Sequence, residues 1–235
     1  MTMCSQTSTL LSLFRLAQLS DTTLPVGGFS FSAGLEAAVE EGIVGSPLEL
    51  EEYTKGALYA ASECDCIALL EGYRAATNGD NLRLLEADLR LYSLKQGDEN
   101  RTMTLRMGGR LLELIRSVAP LPLAEEFAQR VAEGSAVGCY PTVQAIAGVA
   151  LGVGERPLFV AHLYGVAQMV LSAALRLMRI THLDTQQILF RIAPLCSRLY
   201  DRYASLTLEQ MAPFAPTMEL ASSLHERGRS RLFMN

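Results

Sequence analysis

Three histidines, His162, His182 and His225, and five cysteines, Cys4, Cys64, Cys66, Cys139 and Cys196, are the side chains best suited to hold a metal or attack a substrate. Their spacing supports neither role. No two histidines stand four residues apart, so no H-E-x-x-H face forms on a helix. His225 and Glu226 are adjacent and diverge. On a helix Cys64 and Cys66 point about 200° apart, which reads as two small buried thiols. Gly27-Gly28 lacks the lysine and preceding strand of a phosphate loop. Ser30 and Ser32 lack the G-x-S-x-G elbow of a serine nucleophile. Glu40-Glu41 and Glu51-Glu52 are surface acids near helix ends, not a general acid/base pair. No catalytic residue, metal ligand or cofactor is therefore assigned, and a binding role gains weight.

Helices must position whatever the chain does use. Leu10, Leu13, Phe14 and Ala17 have helical spacing and predict a helix over 9–19 with that face turned inward. Leu24-Pro25-Val26-Gly27-Gly28 follows as a loop, rigid and then flexible. Ser30 or Ser32 is expected to cap a short helix that runs to Glu41 and stops at Gly42. Ser46-Pro47-Leu48-Glu49 is a start signal for a helix reaching about Asn78, with a weak point at Gly56. Asp80 caps the next, whose inward face is read as Leu82, Leu85, Leu89 and Tyr92. Further helices follow: one carrying Met103, Met107, Leu111, Leu114 and Ile115, then 123–133, 141–151 and 157–180. The last long one carries Ile188, Leu189, Ile192, Leu195 and Leu199 around Pro194, and a short one follows Pro216 and stops at Gly228. About ten helices and no alternating strand predict an all-α, single-domain bundle spanning 1–235.

Composition agrees. With 49% hydrophobic and 19% charged residues, a chain of 235 residues can bury a sizeable core rather than stay disordered. A net charge of −5 gives no electrostatic reason to bind nucleic acid. The odd cysteine count fits free thiols in a reducing compartment, hence the cytoplasm. Residues 1–8 carry no positive charge, and Arg15 interrupts the apolar stretch from Leu10, so no signal peptide is expected. Two uncharged runs, 134–154 and 157–175, reach membrane-spanning length. Pro141, Gln144 and five glycines in the first run, and His162, Gln168 and Ser172 in the second, favour buried bundle helices over membrane spans.

Three segments remain unexplained by packing alone. Leu24 to Glu36 sets Pro25, Gly27, Gly28 and Gly34 around two loop aromatics, Phe29 and Phe31, which either plug the core or meet a partner. Gly138-Cys139-Tyr140-Pro141-Thr142-Val143-Gln144 opens a helix of small residues, suited to a close crossing inside the chain or between subunits. The end of the chain joins Arg227, Arg229 and Arg231 to Leu232, Phe233 and Met234. That mixture suits a tail ordered by a partner or folded back on its own domain.

Together these segments resemble the UreF family of urease accessory proteins. Residues 24–36 fit its L-P-[IV]-G-[AG]-F-S-x-S-x-G-[LI]-E signature at every position. Gly138 to Pro141 is similar to its central G-x-x-P, and Ser172-Ala173-Ala174-Leu175-Arg176-Leu177 to its small-residue and arginine helix. His225, Glu226, Ser230, Arg231, Leu232 and Phe233 fit its closing H-E-x-x-x-[ST]-R-L-F. Cys139 stands where members often carry histidine. The resemblance implies an all-helical, usually dimeric protein that is not itself an enzyme. It also implies assembly with the scaffold protein UreD (also called UreH) and the nickel-carrying GTPase UreG, which together deliver nickel to apo-urease. Modulation of the GTPase and a share in the nickel path are implied as well. On this reading the partner-binding residues are Pro25, Gly27, Gly28, Phe29, Ser30, Phe31, Ser32, Gly34, Glu36, Tyr140, Pro141, Gln144, His225, Glu226, Arg229, Ser230, Arg231, Leu232 and Phe233, with 227–235 as a partner-ordered tail. The alternative from another class is a helical metal-dependent enzyme with unrecognised ligands.

Overall fold

The computed structural model describes residues 3–212 and Phe233. Ten α-helices fill that range: α1 Met3–Leu19, α2 Leu35–Glu40, α3 Pro47–Glu63, α4 Asp65–Asn78, α5 Asn81–Leu94, α6 Asp98–Val118, α7 Pro122–Ala132, α8 Tyr140–Leu151, α9 Glu155–Leu177 and α10 His182–Tyr203. Two 3-10 turns, Gly28–Ser30 and Leu208–Gln210, complete the described elements, and no strand occurs among them. The all-α expectation holds. The short helix expected after Pro216 and its stop at Gly228 lie outside the described residues.

Helix α8 is the centre of the bundle. It is buried along nearly its whole length, between α4 and α6. Its small residues Ala145, Ala147 and Gly148 are enclosed within the chain, so they serve an internal crossing. The long apolar α9 receives α3 and α10, with α1, α2 and the first 3-10 turn lying along it. By length and composition α9 could cross a membrane, yet 56% of its most apolar stretch is buried in this bundle. A single core runs from Leu19 through α8 and α9 to Leu208.

Several local signals act as read. Ser46 Oγ accepts the Glu49 amide, and the Glu49 carboxylate accepts the Gly45 amide, closing the start of α3. Asp80 accepts the Arg83 amide at the head of α5. Thr181 and Asp184 form a reciprocal capping box on α10.

Four readings need correction. The expected helix from Pro47 to Asn78 is two helices, and the break falls at Cys64 (φ −132°, ψ −62°), not at Gly56. Asp65, at the head of α4, is drawn there to the Lys95 ammonium, 2.7 Å away. Cys64 and Cys66 thus do not share one regular helix, though both are buried as expected. Helix α2 is capped by Gly34 in the left-handed conformation (φ 76°), without a serine side chain. The face Leu10, Leu13, Phe14 and Ala17 of α1 points outward, with Phe14 74% exposed; Leu16 and Leu19 meet the core instead, and Arg15 donates to the Leu151 carbonyl. In α5 the buried residues are Leu84, Ala87, Asp88 and Leu91, whereas Leu82 and Leu89 are exposed.

That inward phase of α5 has a polar cause. Asp88 is fully buried, and its carboxylate accepts the backbone N–H groups of Val137, Gly138 and Cys139 at 2.6, 2.8 and 2.8 Å. Three amides around one carboxylate offset the cost of burying the charge. They also fix the turn that enters α8. Beside it, Gly108 of α6 lies so close that a Cβ there would run into the Gly138 carbonyl oxygen and stand 2.9 Å from the Tyr140 nitrogen.

Candidate docking surface

The loop between α1 and α2 carries the surface. The Val26 amide donates to the Leu24 carbonyl at 2.7 Å, a tight turn that tucks Val26 into the core and leaves Pro25 exposed. Gly27 then takes a left-handed conformation (φ 83°) that L side chains adopt only with strain. This starts the 3-10 turn and turns Phe29 outward, 65% exposed, while Phe31 enters the core at 2%. Ala33, also at positive φ (52°), is held by the Tyr53 hydroxyl, which donates to its carbonyl at 2.7 Å.

Arg176, near the end of α9, ties this loop to the far end of the chain. Its guanidinium donates to the Phe29 carbonyl at 2.8 Å. The guanidinium carbon stands 4.1 Å from the centre of the Phe29 ring and 3.9 Å from that of the Phe233 ring. Both distances are within cation–π range. Partial burial lowers the Arg176 pKa, and Glu36 opposes that shift.

Behind the loop lies a cavity of about 160 Å³, walled among others by Leu24, Gly28, Met107, Tyr140, His162 and Met169. Its lining is largely apolar, with the Asp65–Lys95 pair at its wall. His162 is buried, its Nδ1 lies 2.8 Å from Gln144 Oε1, and burial pushes its pKa down to about 4. Its Nε2 finds no hydrogen-bond partner in the described chain. The Tyr140 amide donates to Thr104 Oγ1 at 3.1 Å, and burial raises the phenol to about 12. Burial, with Asp88 nearby, likewise raises the Cys139 thiol and keeps it protonated. Among the described residues no group of three or more His, Cys, Asp or Glu side chains is placed to hold a metal ion.

The structure divides the residues assigned to partner binding. Pro25, Gly27 and Phe29 are exposed; Gly28, Ser30 and Tyr140 are half-buried. Phe31, Ser32, Gly34, Glu36, Pro141 and Gln144 are closed inside the chain, so in this conformation they shape the surface from beneath rather than touch a partner. Phe233, 4% exposed, packs against Arg176 of its own chain. His225, Glu226, Arg229, Ser230, Arg231 and Leu232 lie outside the described residues. The loop and the Tyr140–Pro141 turn, distant in sequence, meet at the cavity. Sequence reasoning missed the outward face of α1, the anchoring role of Asp88 and the linking role of Arg176. For Arg176 the available signal was a charged residue closing an otherwise small and apolar helix.

Fold and surface define an all-helical bundle that presents an aromatic loop and an apolar helix face rather than a described cluster of reactive groups. Comparison with known proteins makes this specific. The family model described as UreF matches residues 44–193. The chain is 36% identical over 223 residues to the urease accessory protein UreF of Yersinia pseudotuberculosis serotype IB (strain PB1/+), a span covering 95% of this chain and 98% of that relative. The same identity and coverage hold for the urease accessory proteins UreF of Yersinia enterocolitica serotype O:8 and Yersinia pestis (strain Pestoides F). The chain belongs to the UreF family of urease accessory proteins.

Proposed function

We propose that this chain is a nonenzymatic maturation factor that joins the scaffold accessory protein UreD (or UreH) and the nickel-carrying GTPase UreG. In that assembly it promotes nickel insertion into apo-urease and modulates the GTPase. It acts as a homodimer in the cytoplasm. The observation that carries the reading is the placement of apolar side chains on the outside of a chain of this family. Phe29 of the signature loop and Leu10, Leu13 and Phe14 of α1 are exposed, and both elements lie along α9. Large apolar groups grouped on a surface mark a protein interface, and aromatic residues are the usual anchors. The buried members of the signature set the loop's path, and the tail 227–235 adds arginine and apolar contacts for the same partner.

The test is co-purification. Phe14→Ser combined with Phe29→Ala should abolish capture of the scaffold protein while the melting temperature stays within about 3 °C, since exposed side chains contribute little to stability. Undiminished capture, or loss of capture only together with loss of the fold, would overturn the assignment of this surface.

A further inference from the structure

We propose that the cavity behind the loop between α1 and α2 is a receptor for one aromatic ring that carries a hydrogen-bond donor, supplied by a tyrosine side chain of the docking partner. The partner as source rests on the docking role proposed above. The ring site itself stands on the cavity alone.

The cavity, at about 160 Å³, has room for a single six-membered ring. An engineered apolar cavity of about 150 Å³ takes up benzene. The walls also suit a ring: Met103, Met107 and Met169 join Leu24, Val26 and Val166 there. Thioethers make favourable contacts with aromatic rings, and the unbranched methionine side chain adapts to the shape of a guest. Met107 and Met169 converge on Gly28, where a Cβ would stand 3.3 Å from the Met107 methyl carbon and 3.8 Å from that of Met169. The bare glycine leaves the ends of both side chains unconfined by the loop.

One atom of the wall says what the ring must carry. His162 Nδ1 lies 2.8 Å from Gln144 Oε1. An amide oxygen only accepts, so Nδ1 holds the single proton of the neutral imidazole and Nε2 is an acceptor. That Nε2 is buried and has no hydrogen-bond partner in the described chain. A buried acceptor without a donor is destabilising, and a hydroxyl reaching it removes the penalty. The guest is also uncharged. Asp65 and Lys95, on the same wall, already neutralise each other at 2.7 Å. A charged guest would lose its water without gaining a free counter-charge. The hydroxyl of tyrosine sits at the end of the ring farthest from its backbone, as a donor must to reach a buried atom from outside. The indole N–H of tryptophan lies at the side of its ring. Gly27, Phe29 and Gly165 are exposed and stand at the rim. The opening therefore shares its edge with the exposed aromatic of the docking loop, and a side chain from a protein seated there enters without crossing the core.

The test begins with the isolated full chain. Ligand-detected NMR titrations compare p-cresol, the tyrosine side chain as a free molecule, with toluene, the same ring without the donor. p-Cresol should bind at millimolar concentration and about tenfold tighter than toluene. Gly165→Leu narrows the mouth from a position where a Cβ meets nothing within 4 Å, and should weaken both ligands by about tenfold or more. His162→Leu keeps the wall apolar and removes the acceptor, so the preference for p-cresol should vanish while toluene still binds. The ratio of the two ligands is read within one variant, so a change in stability does not imitate this result. Should His162→Leu fail to fold, Gly165→Leu and the wild-type ratio carry the test. No binding by the wild type, equal affinity for the two ligands, or p-cresol binding unchanged in Gly165→Leu would overturn the site. Capture of the scaffold protein is read separately. Selective binding, with capture weakened by saturating p-cresol, supports the partner's tyrosine as the guest. Selective binding with undiminished capture keeps the site and overturns the partner as its source.

Discussion

Phe29 and Phe31 stand two residues apart in one loop, and only their surroundings tell them apart. The sequence showed that aromatic residues were placed there; it did not show which one entered the core, because the turn at Gly27 decides that. His162 is a second case. It looked like one of three possible ligands, and it sits enclosed beside Gln144 with its pKa lowered to about 4 by burial. In the unfolded chain it titrates near its ordinary value of about 6.5. Between those values the unfolded state binds the extra proton, so the contribution of His162 is complete above about pH 6.5 and is lost as pH falls towards 4. Lowering the pH from 7 to 5 should therefore cost about 2 kcal/mol through this residue. Urea titrations at the two pH values should show a smaller difference for His162→Asn than for the wild type. Equal differences would mean that the imidazole is not held neutral.

At the scale of elements, helix positions were legible from caps and prolines, and helix faces were legible only in part. The phase of α10 was read correctly because Ile188, Ile192, Leu195 and Leu199 form one stripe. In α1 and α5 leucines lie on more than one side; spacing alone selected an outward face in α1 and, in α5, a face of which Leu85 and Tyr92 meet the core while Leu82 and Leu89 are exposed. For α5 the deciding residue is a charge: Asp88 turns inward because three amides need it, and no hydrophobic pattern encodes that requirement. The crossing of α6 over the Gly138 turn was equally invisible, since it depends on a missing side chain. Gly108→Ala should push the helix off the Gly138 carbonyl and destabilise the protein by about 3 kcal/mol or more. Gly109→Ala, one position along and facing open space, should be neutral or slightly stabilising. Chemical denaturation of the pair measures the contrast directly, and similar values for the two would remove the close contact.

For the molecule as a whole, all-helical architecture followed from periodicity and composition, and the family resemblance followed from motifs at the two ends. That Phe29 and Phe233 both sit on Arg176 of a third element was not legible. One core connects the described helices, with α8 touching α4, α5, α6, α7 and α9. Melting followed by far-ultraviolet circular dichroism and by tyrosine fluorescence should therefore give coincident transitions. Two separated transitions would show that the bundle is divided into independent units.

The carboxylate of Asp88 also carries a consequence in time. Its three amide partners follow it in sequence by 49 to 51 residues, with all of α6 and α7 between. Until α5 stands beside the Val137–Cys139 turn, those N–H groups have only water as acceptor, and the loop-closure entropy must be met before they gain a better one. The turn into α8, on which the most buried helix depends, is thus secured late in folding, by a side chain that left the ribosome long before the segment it orders.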